Sequence, residues 1–118
     1  MDEIERETKV ASMLAALGNE TRLSLFRQLV RAGDDGMSVG AIRKRLAIPA
    51  STLQHHLSAL VHAGLVHQTR AGREIRSVVD YRSVDGLIAY LTEECCADAA
   101  RPGPHATHAL RKIGETVG

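Results

Sequence analysis

The chain is expected to be mainly α with a small β component: an α+β winged helix-turn-helix of about five helices and a two-stranded wing. Three observations carry this. Apolar residues recur at helical spacing through most of the 118 residues. A short helical pattern, the tight connection Ala47-Ile48-Pro49-Ala50 and a second helix with a polar outer face follow one another, as in a helix-turn-helix. Directly after them, two runs rich in β-branched and polar residues, 65–70 and 75–81, flank Ala71-Gly72-Arg73-Glu74 and predict a hairpin. The hydrophobic fraction is 44% and the aromatic fraction 3%, so Leu, Val, Ile and Ala must build the core, which suits packed helices.

Each element has its own signals. Residues 4 to about 17 place Ile4, Val10, Ala11, Leu14 and Leu17 on one helical face, and Gly18 ends the run. Asn19 suits the N-cap of a second helix, which buries Leu23, Phe26, Leu29 and Val30. Gly33 and Gly36 around Asp34-Asp35 make a loop. Ser38 caps a short helix with Val39, Ile42 and Leu46 inward and Arg43, Lys44 and Arg45 outward. Pro49 suits the start of the next helix. From Ser51 to about His62, Leu53, Leu57, Leu60 and Val61 share one face, and Gly64 terminates the helix. A last helix runs from about Ser83 to the cysteines on the stripe Val84, Leu87, Ile88 and Leu91. Residues 1–96 are thus expected to form one DNA-binding and dimerisation domain, and 97–118, which contain the breaker Arg101-Pro102-Gly103-Pro104, a flexible tail.

The net charge is +1, so any basic surface must arise from clustering. Met1-Asp2-Glu3-Ile4-Glu5-Arg6 has neither the basic nor the apolar region of a secretory signal, and no apolar run reaches the length of a membrane span. Cys95 and Cys96 are adjacent, too close for a useful structural disulfide. These features predict a cytoplasmic protein with free thiols and no membrane contact.

The helix from Ser51 is the candidate recognition element. Ser51, Thr52, Gln54, His55 and Ser58 offer short hydrogen-bonding side chains where such a helix meets base edges. Gln pairs bidentately with adenine, and Ser or Thr reaches a base or a phosphate. Alone, such a face is equally an ordinary solvated surface; the basic residues beside it favour double-stranded DNA. Arg43 and Lys44 suit backbone contacts, as does Arg45. Arg70 and Arg73 on the wing, together with Arg76, suit phosphates or a minor groove.

Leu17-Gly18-Asn19-Glu20-Thr21-Arg22-Leu23-Ser24-Leu25-Phe26 resembles the opening of the ArsR/SmtB family of metal-responsive repressors. Ser51-Thr52-Leu53-Gln54-His55-His56-Leu57-Ser58-Ala59-Leu60, followed by Ala63-Gly64-Leu65-Val66, resembles it too. The likeness spans roughly residues 8 to 96. It implies a homodimer joined through its first and last helices, bound to an inverted-repeat operator and released by an inducer. Family thiolate sites before the recognition helix have no counterpart in Met37-Ser38-Val39-Gly40-Ala41-Ile42, and Asp80-Tyr81-Arg82-Ser83-Val84-Asp85 has no histidine for a zinc-type site. Cys95-Cys96 resembles the arsenic- and antimony-sensing arrangement, but without the third cysteine that often follows.

That omission has a chemical consequence. Arsenite offers three exchangeable oxygens and is best held by three thiolates, whereas a monomethylated trivalent arsenical is saturated by two. No tightly bound cofactor is expected. The expected inducer is a trivalent arsenic or antimony species, with methylarsenite preferred over arsenite, on soft thiolate ligands. Adjacent residues on a helix diverge by about 100°, so both sulfurs converge only where the helix ends. Two alternatives stand beside this: thiol oxidation or persulfidation of the same pair, and a divalent-metal site drawing on His105 and His108. The spacing Cys95-x5-Arg101 also matches phosphatase and arsenate-reductase loops, but no glycine lies between the two residues to form an oxyanion cradle, and no enzyme is expected.

Overall fold

In a computed structural model, residues 2–100 are described. The elements are α1 (Glu3–Leu17), α2 (Glu20–Ala32), a 3₁₀ turn (Gly33–Asp35), β1 (Met37–Ser38), α3 (Val39–Arg45), α4 (Ala50–His62), β2 (Val66–Ala71), β3 (Glu74–Val79) and α5 (Tyr81–Thr92). Five helices and a small antiparallel sheet form the winged helix-turn-helix expected. The chain divides into two units after Val84, within α5.

The caps are side-chain oxygens on first-turn N–H groups. Asp2 accepts from Glu5 N at 2.8 Å, Asn19 from Arg22 N at 2.9 Å and Ser38 from Ala41 N at 3.1 Å. In the first unit α1, α2 and α4 pack on one another, and α2 also packs on β3. Leu25, Leu29, Ile42, Leu53, Leu57, Leu60 and Leu65 are fully buried. Seven branched aliphatic side chains thus supply most of the core, beside the single buried aromatic Phe26, each worth about 1.5–3 kcal/mol of burial.

Four local expectations are corrected. The buried face of α1 is Val10, Met13 and Ala16; Ile4 is 77% and Leu14 43% exposed, and Ala11 also faces solvent. The apolar arc of α1 is wider than the face that α2 and α4 cover. On α2, Leu25 is buried where Leu23 and Val30 are exposed, and on α4 Val61 is exposed. The sheet has three strands in the order β1-β3-β2, not two. Met37 pairs with Ser77 and Ser38 with Arg76, so the residues just before α3 anchor the wing to the body. Gly36 makes this approach possible: its φ is 65°, and a Cβ there would run into the Ser77 carbonyl oxygen and the Val78 side chain. Finally, α5 starts at Tyr81 and stops at Thr92, three residues short of Cys95. Asp80 caps it through Ser83 N at 3.1 Å.

Candidate nucleic-acid interface and thiol pair

The two faces of α4 meet different surroundings. Leu53, Leu57 and Leu60 are buried, as is His56, which is 8% exposed. Ser51, Thr52, Gln54, His55 and Ser58 all stand in solvent on the opposite side, so the five predicted reading residues share one surface. Gln54 Nε2 donates to Ser58 Oγ at 3.4 Å, bracing one carboxamide N–H and leaving its other donor and its oxygen outward. Pro49 provides no side-chain cap, so the first N–H groups of α4 face solvent at the positive end of the helix dipole.

His56 is where the recognition helix is tied down. Arg22 Nε donates to His56 Nδ1 at 3.3 Å, and Arg22 Nη1 donates to the Ala16 carbonyl at the end of α1 at 3.1 Å. One half-buried guanidinium therefore links α1, α2 and α4. Burial, then the Arg22 charge, then His55 lower the pKa of His56 from its ordinary value. The neutral ring keeps Nδ1 as an acceptor.

The flanking cations separate into free and engaged. Arg43 and Lys44 are exposed in the last turn of α3; Arg45 beside them donates to Gln28 Oε1 at 3.1 Å. The wing loop is Gly72-Arg73, closed by the pair Ala71 and Glu74. Gly72 has φ 64°, which a type II′ turn requires at its first central position. Arg73 thereby sits at the tip, with Arg70 exposed on β2 opposite Ile75. Arg76 belongs to the scaffold instead. It donates to the carbonyls of Asp35 and Gly36 at 3.3 and 3.4 Å and pairs with Glu74 at 3.2 Å.

Sequence reasoning passed over Gln68 on β2. It lines a cleft of about 250 Å³ together with Gln54, Ser58, Val61 and His62. Its alternation with the buried Val66 on a half-covered strand was the available signal.

In the second unit, the Thr92 hydroxyl donates to the Ile88 carbonyl at 2.9 Å where α5 ends. The chain continues as turns, with Cys95 N donating to Thr92 O and Ala97 N to Glu94 O, both at 3.0 Å. Cys96 is left-handed, φ 66°, a rare conformation for a residue with a side chain. This brings Cys95 Sγ and Cys96 Sγ to 3.3 Å. Cys95 is exposed and Cys96 half-buried. The contact with the Cys96 sulfur raises the Cys95 thiol above its usual range, with desolvation and the neighbouring charge acting in the same direction. Among the described residues, no three His, Cys, Asp or Glu side chains converge on a metal-sized site. Arg101, His105 and His108 lie outside the described residues.

Residues 17–69 match a family model described as a helix-turn-helix domain. The transcriptional activator HlyU of Vibrio cholerae is 29% identical over 97 residues, 81% of this chain and 87% of that protein. The putative arsenical resistance operon repressor ArsR2 of Halobacterium salinarum is 37% identical over 60 residues, about half of each chain. Among solved structures, an ArsR-like transcriptional regulator from Rhodococcus superposes with a TM-score of 0.68 at 29% identity, covering 91% of this chain and 93% of that one. These relatives are transcriptional regulators rather than enzymes, and among the described residues no helix is long and apolar enough to cross a membrane. With the helix-turn-helix, the wing and these likenesses, over 81% of the chain for HlyU and 91% for the Rhodococcus regulator, the chain is similar to the ArsR family of DNA-binding transcriptional regulators.

Proposed function

We propose that the protein is a cytoplasmic homodimeric repressor that leaves an inverted-repeat operator when Cys95 and Cys96 bind a trivalent arsenical. The observation that carries this reading is the sulfur pair, 3.3 Å apart beyond the end of α5. Two bonds of about 2.3 Å, the length of a metal–thiolate bond, meeting near a right angle span about 3.3 Å between sulfurs. The pair therefore already has the bite that a pyramidal arsenic or antimony centre needs. Each As–OH group takes up one thiol proton and leaves as water while an As–S bond forms. Methylarsenite exhausts its exchangeable groups on two sulfurs, whereas arsenite or antimonite retains one. The name of ArsR2 supports the arsenical reading. Dimerisation is supported by the apolar residues left exposed on α1 (Ile4, Leu14) and, separately, on α5 (Ile88, Leu91).

The likeness to HlyU, one of whose solved structures is described as reduced, favours a second reading in which oxidant or persulfide acts on the same thiols. Direct closure between adjacent cysteines forms a small strained ring, which weighs against a simple disulfide switch.

The test is an anisotropy titration of the operator complex with methylarsenite, arsenite, antimonite, zinc, peroxide and persulfide. Methylarsenite should release DNA at the lowest concentration. Cys95→Ser and Cys96→Ser should each keep dimerisation and operator affinity but lose the response. Release by arsenical from the double serine variant removes the thiols from the mechanism, and release by oxidant alone selects the second reading.

A further inference from the structure

The cleft between α4 and β2 lies on the surface read above as DNA-facing, and the following rests on that reading. A recognition helix in a major groove and a wing tip in the neighbouring minor groove stand on either side of one sugar–phosphate strand, because that strand is what separates the grooves. The strand must therefore cross the surface between Gln54 on the helix and Arg73 on the wing. Beside Gln54, a cleft between the C-terminal half of α4 and β2 is lined by Gln54, Ser58, Val61, His62 and Gln68.

We infer that this cleft is a phosphodiester seat, in which Ser58 and Gln68 donate to a single phosphate of each half-site. Ser58 Oγ already accepts from Gln54 Nε2 at 3.4 Å, and its own hydroxyl proton is left to donate. Gln68 Nε2 donates one N–H to Oγ of Ser77 at 3.4 Å, and Ser77 is 1% exposed. A buried serine thus holds the carboxamide in place and leaves its second N–H for the cleft. His62 adds a ring nitrogen at the rim, and Val61, 38% exposed, offers an apolar wall for a deoxyribose. Among the described residues no carboxylate lines the cleft, so none of them repels the phosphate. The donors are neutral. They fix where the strand lies, and so the register of the helix, without the counterion release that the wing arginines contribute.

The experiment uses full-length protein and an operator duplex selected from random sequence, with each phosphate in turn replaced by a neutral methylphosphonate. One position per half-site should weaken wild-type binding about tenfold, the loss typical of a hydrogen bond to a charged group. The same replacement should cost Gln68→Ala clearly less, because only the Ser58 contact is left to lose. Gln68→Glu should bind the unmodified duplex more weakly than Gln68→Ala, and methylphosphonate at that one position should restore its binding, a rescue that misfolding would not produce. Base preference should be unchanged in all three proteins. A shifted base preference in Gln68→Ala, or losses that add at every phosphate, overturns the inference. Failure of the wild type to select any sequence would instead overturn the DNA-facing reading of the surface.

Discussion

Removal of the Arg22 guanidinium tests how the recognition helix is held. Arg22→Ala deletes the bonds to His56 Nδ1 and the Ala16 carbonyl, leaving two half-buried acceptors without their donor. An orphaned buried acceptor costs about 1–3 kcal/mol, and water reaches this half-open site, so the lower end applies to each. The expected loss is about 2 kcal/mol, or roughly 8–16 °C in Tm for a domain of this size. Because a dimer's Tm depends on concentration, variant and wild type must be melted at equal subunit concentration. His56 adds a pH signature. Its folded pKa is below the unfolded value of 6.5, so the unfolded chain binds more protons as pH falls past that value. The neutral His56 therefore contributes stability that is present above the unfolded value and lost as pH drops towards the folded one. Burial is the larger cause and persists in Arg22→Ala, but the Arg22 contribution goes, so the variant should lose less stability than wild type between pH 7 and 5. Operator affinity at 20 °C should fall with it, since α4 is no longer pinned through His56. A variant as stable as wild type, or one with a steeper acid loss, would refute the reasoning.

Three further outcomes follow from the same geometry. Arg73→Ala should weaken binding to every duplex and flatten the dependence of log K on log salt by about 0.9 per contact, whereas Gln54→Ala should relax preference at one base pair by about 1–3 kcal/mol; both are read by anisotropy across salt concentrations and sequences. Gly36→Ala should destabilise the fold by at least about 2 kcal/mol in thermal melts, because it combines a positive φ with a collision against the Ser77 carbonyl, while Gly72→Ala, whose Cβ position is open, should cost less. Methylarsenite release should be nearly flat from pH 6 to 7.5, because a protonated thiol and an As–OH group exchange to give water; the raised Cys95 thiol makes any thiolate-dependent rival, zinc or peroxide, weaken as pH falls, and stopped-flow or equilibrium titrations at several pH values separate the two.

Where the chemistry was local, the sequence was readable. Asn19 and Ser38 each cap the helix expected of them, Gly72 sits in the turn, and Leu53, Leu57 and Leu60 define the inner face of α4 through their spacing alone. The misses depend on partners distant in sequence. Two residues, Met37 and Ser38, carry no strand pattern of their own and become β1 only because β3 lies beside them. Arg76 looked like a third wing cation, yet the register that places it opposite Ser38 also places the Asp35 and Gly36 carbonyls within its reach. On α1 the sequence holds a broad apolar arc, and only the packing of α2 and α4 decides that Val10, Met13 and Ala16 are inside. His56 is itself a polar residue type, and its burial follows from being three residues beyond Leu53 on the same helical face.

On the arsenical reading proposed above, coupling of the thiol pair to operator release has an energetic requirement. A thousandfold loss of operator affinity requires about 4 kcal/mol of difference between the inducer's affinities for the DNA-competent and DNA-incompetent forms. An inducer held equally well by both forms releases nothing, however tightly it binds. The sulfurs already stand at 3.3 Å, so little of the binding energy is needed to bring them together. The difference must come instead from what a closed dithiolate ring demands of its backbone. Cys96 is already left-handed, and its carbonyl accepts from Ala99 N at 3.1 Å, within the turns that follow α5. A ring through both sulfurs removes the freedom of that segment to relax away from φ 66°. On that proposal the competent form is the one in which residues 93–98 adopt other conformations, and the inducer selects the form in which they do not. Cys96→Gly distinguishes this from a purely local effect: it removes a sulfur but accepts a positive φ without strain, and on this argument it lowers operator affinity slightly even with no arsenical present, whereas Cys96→Ser does not.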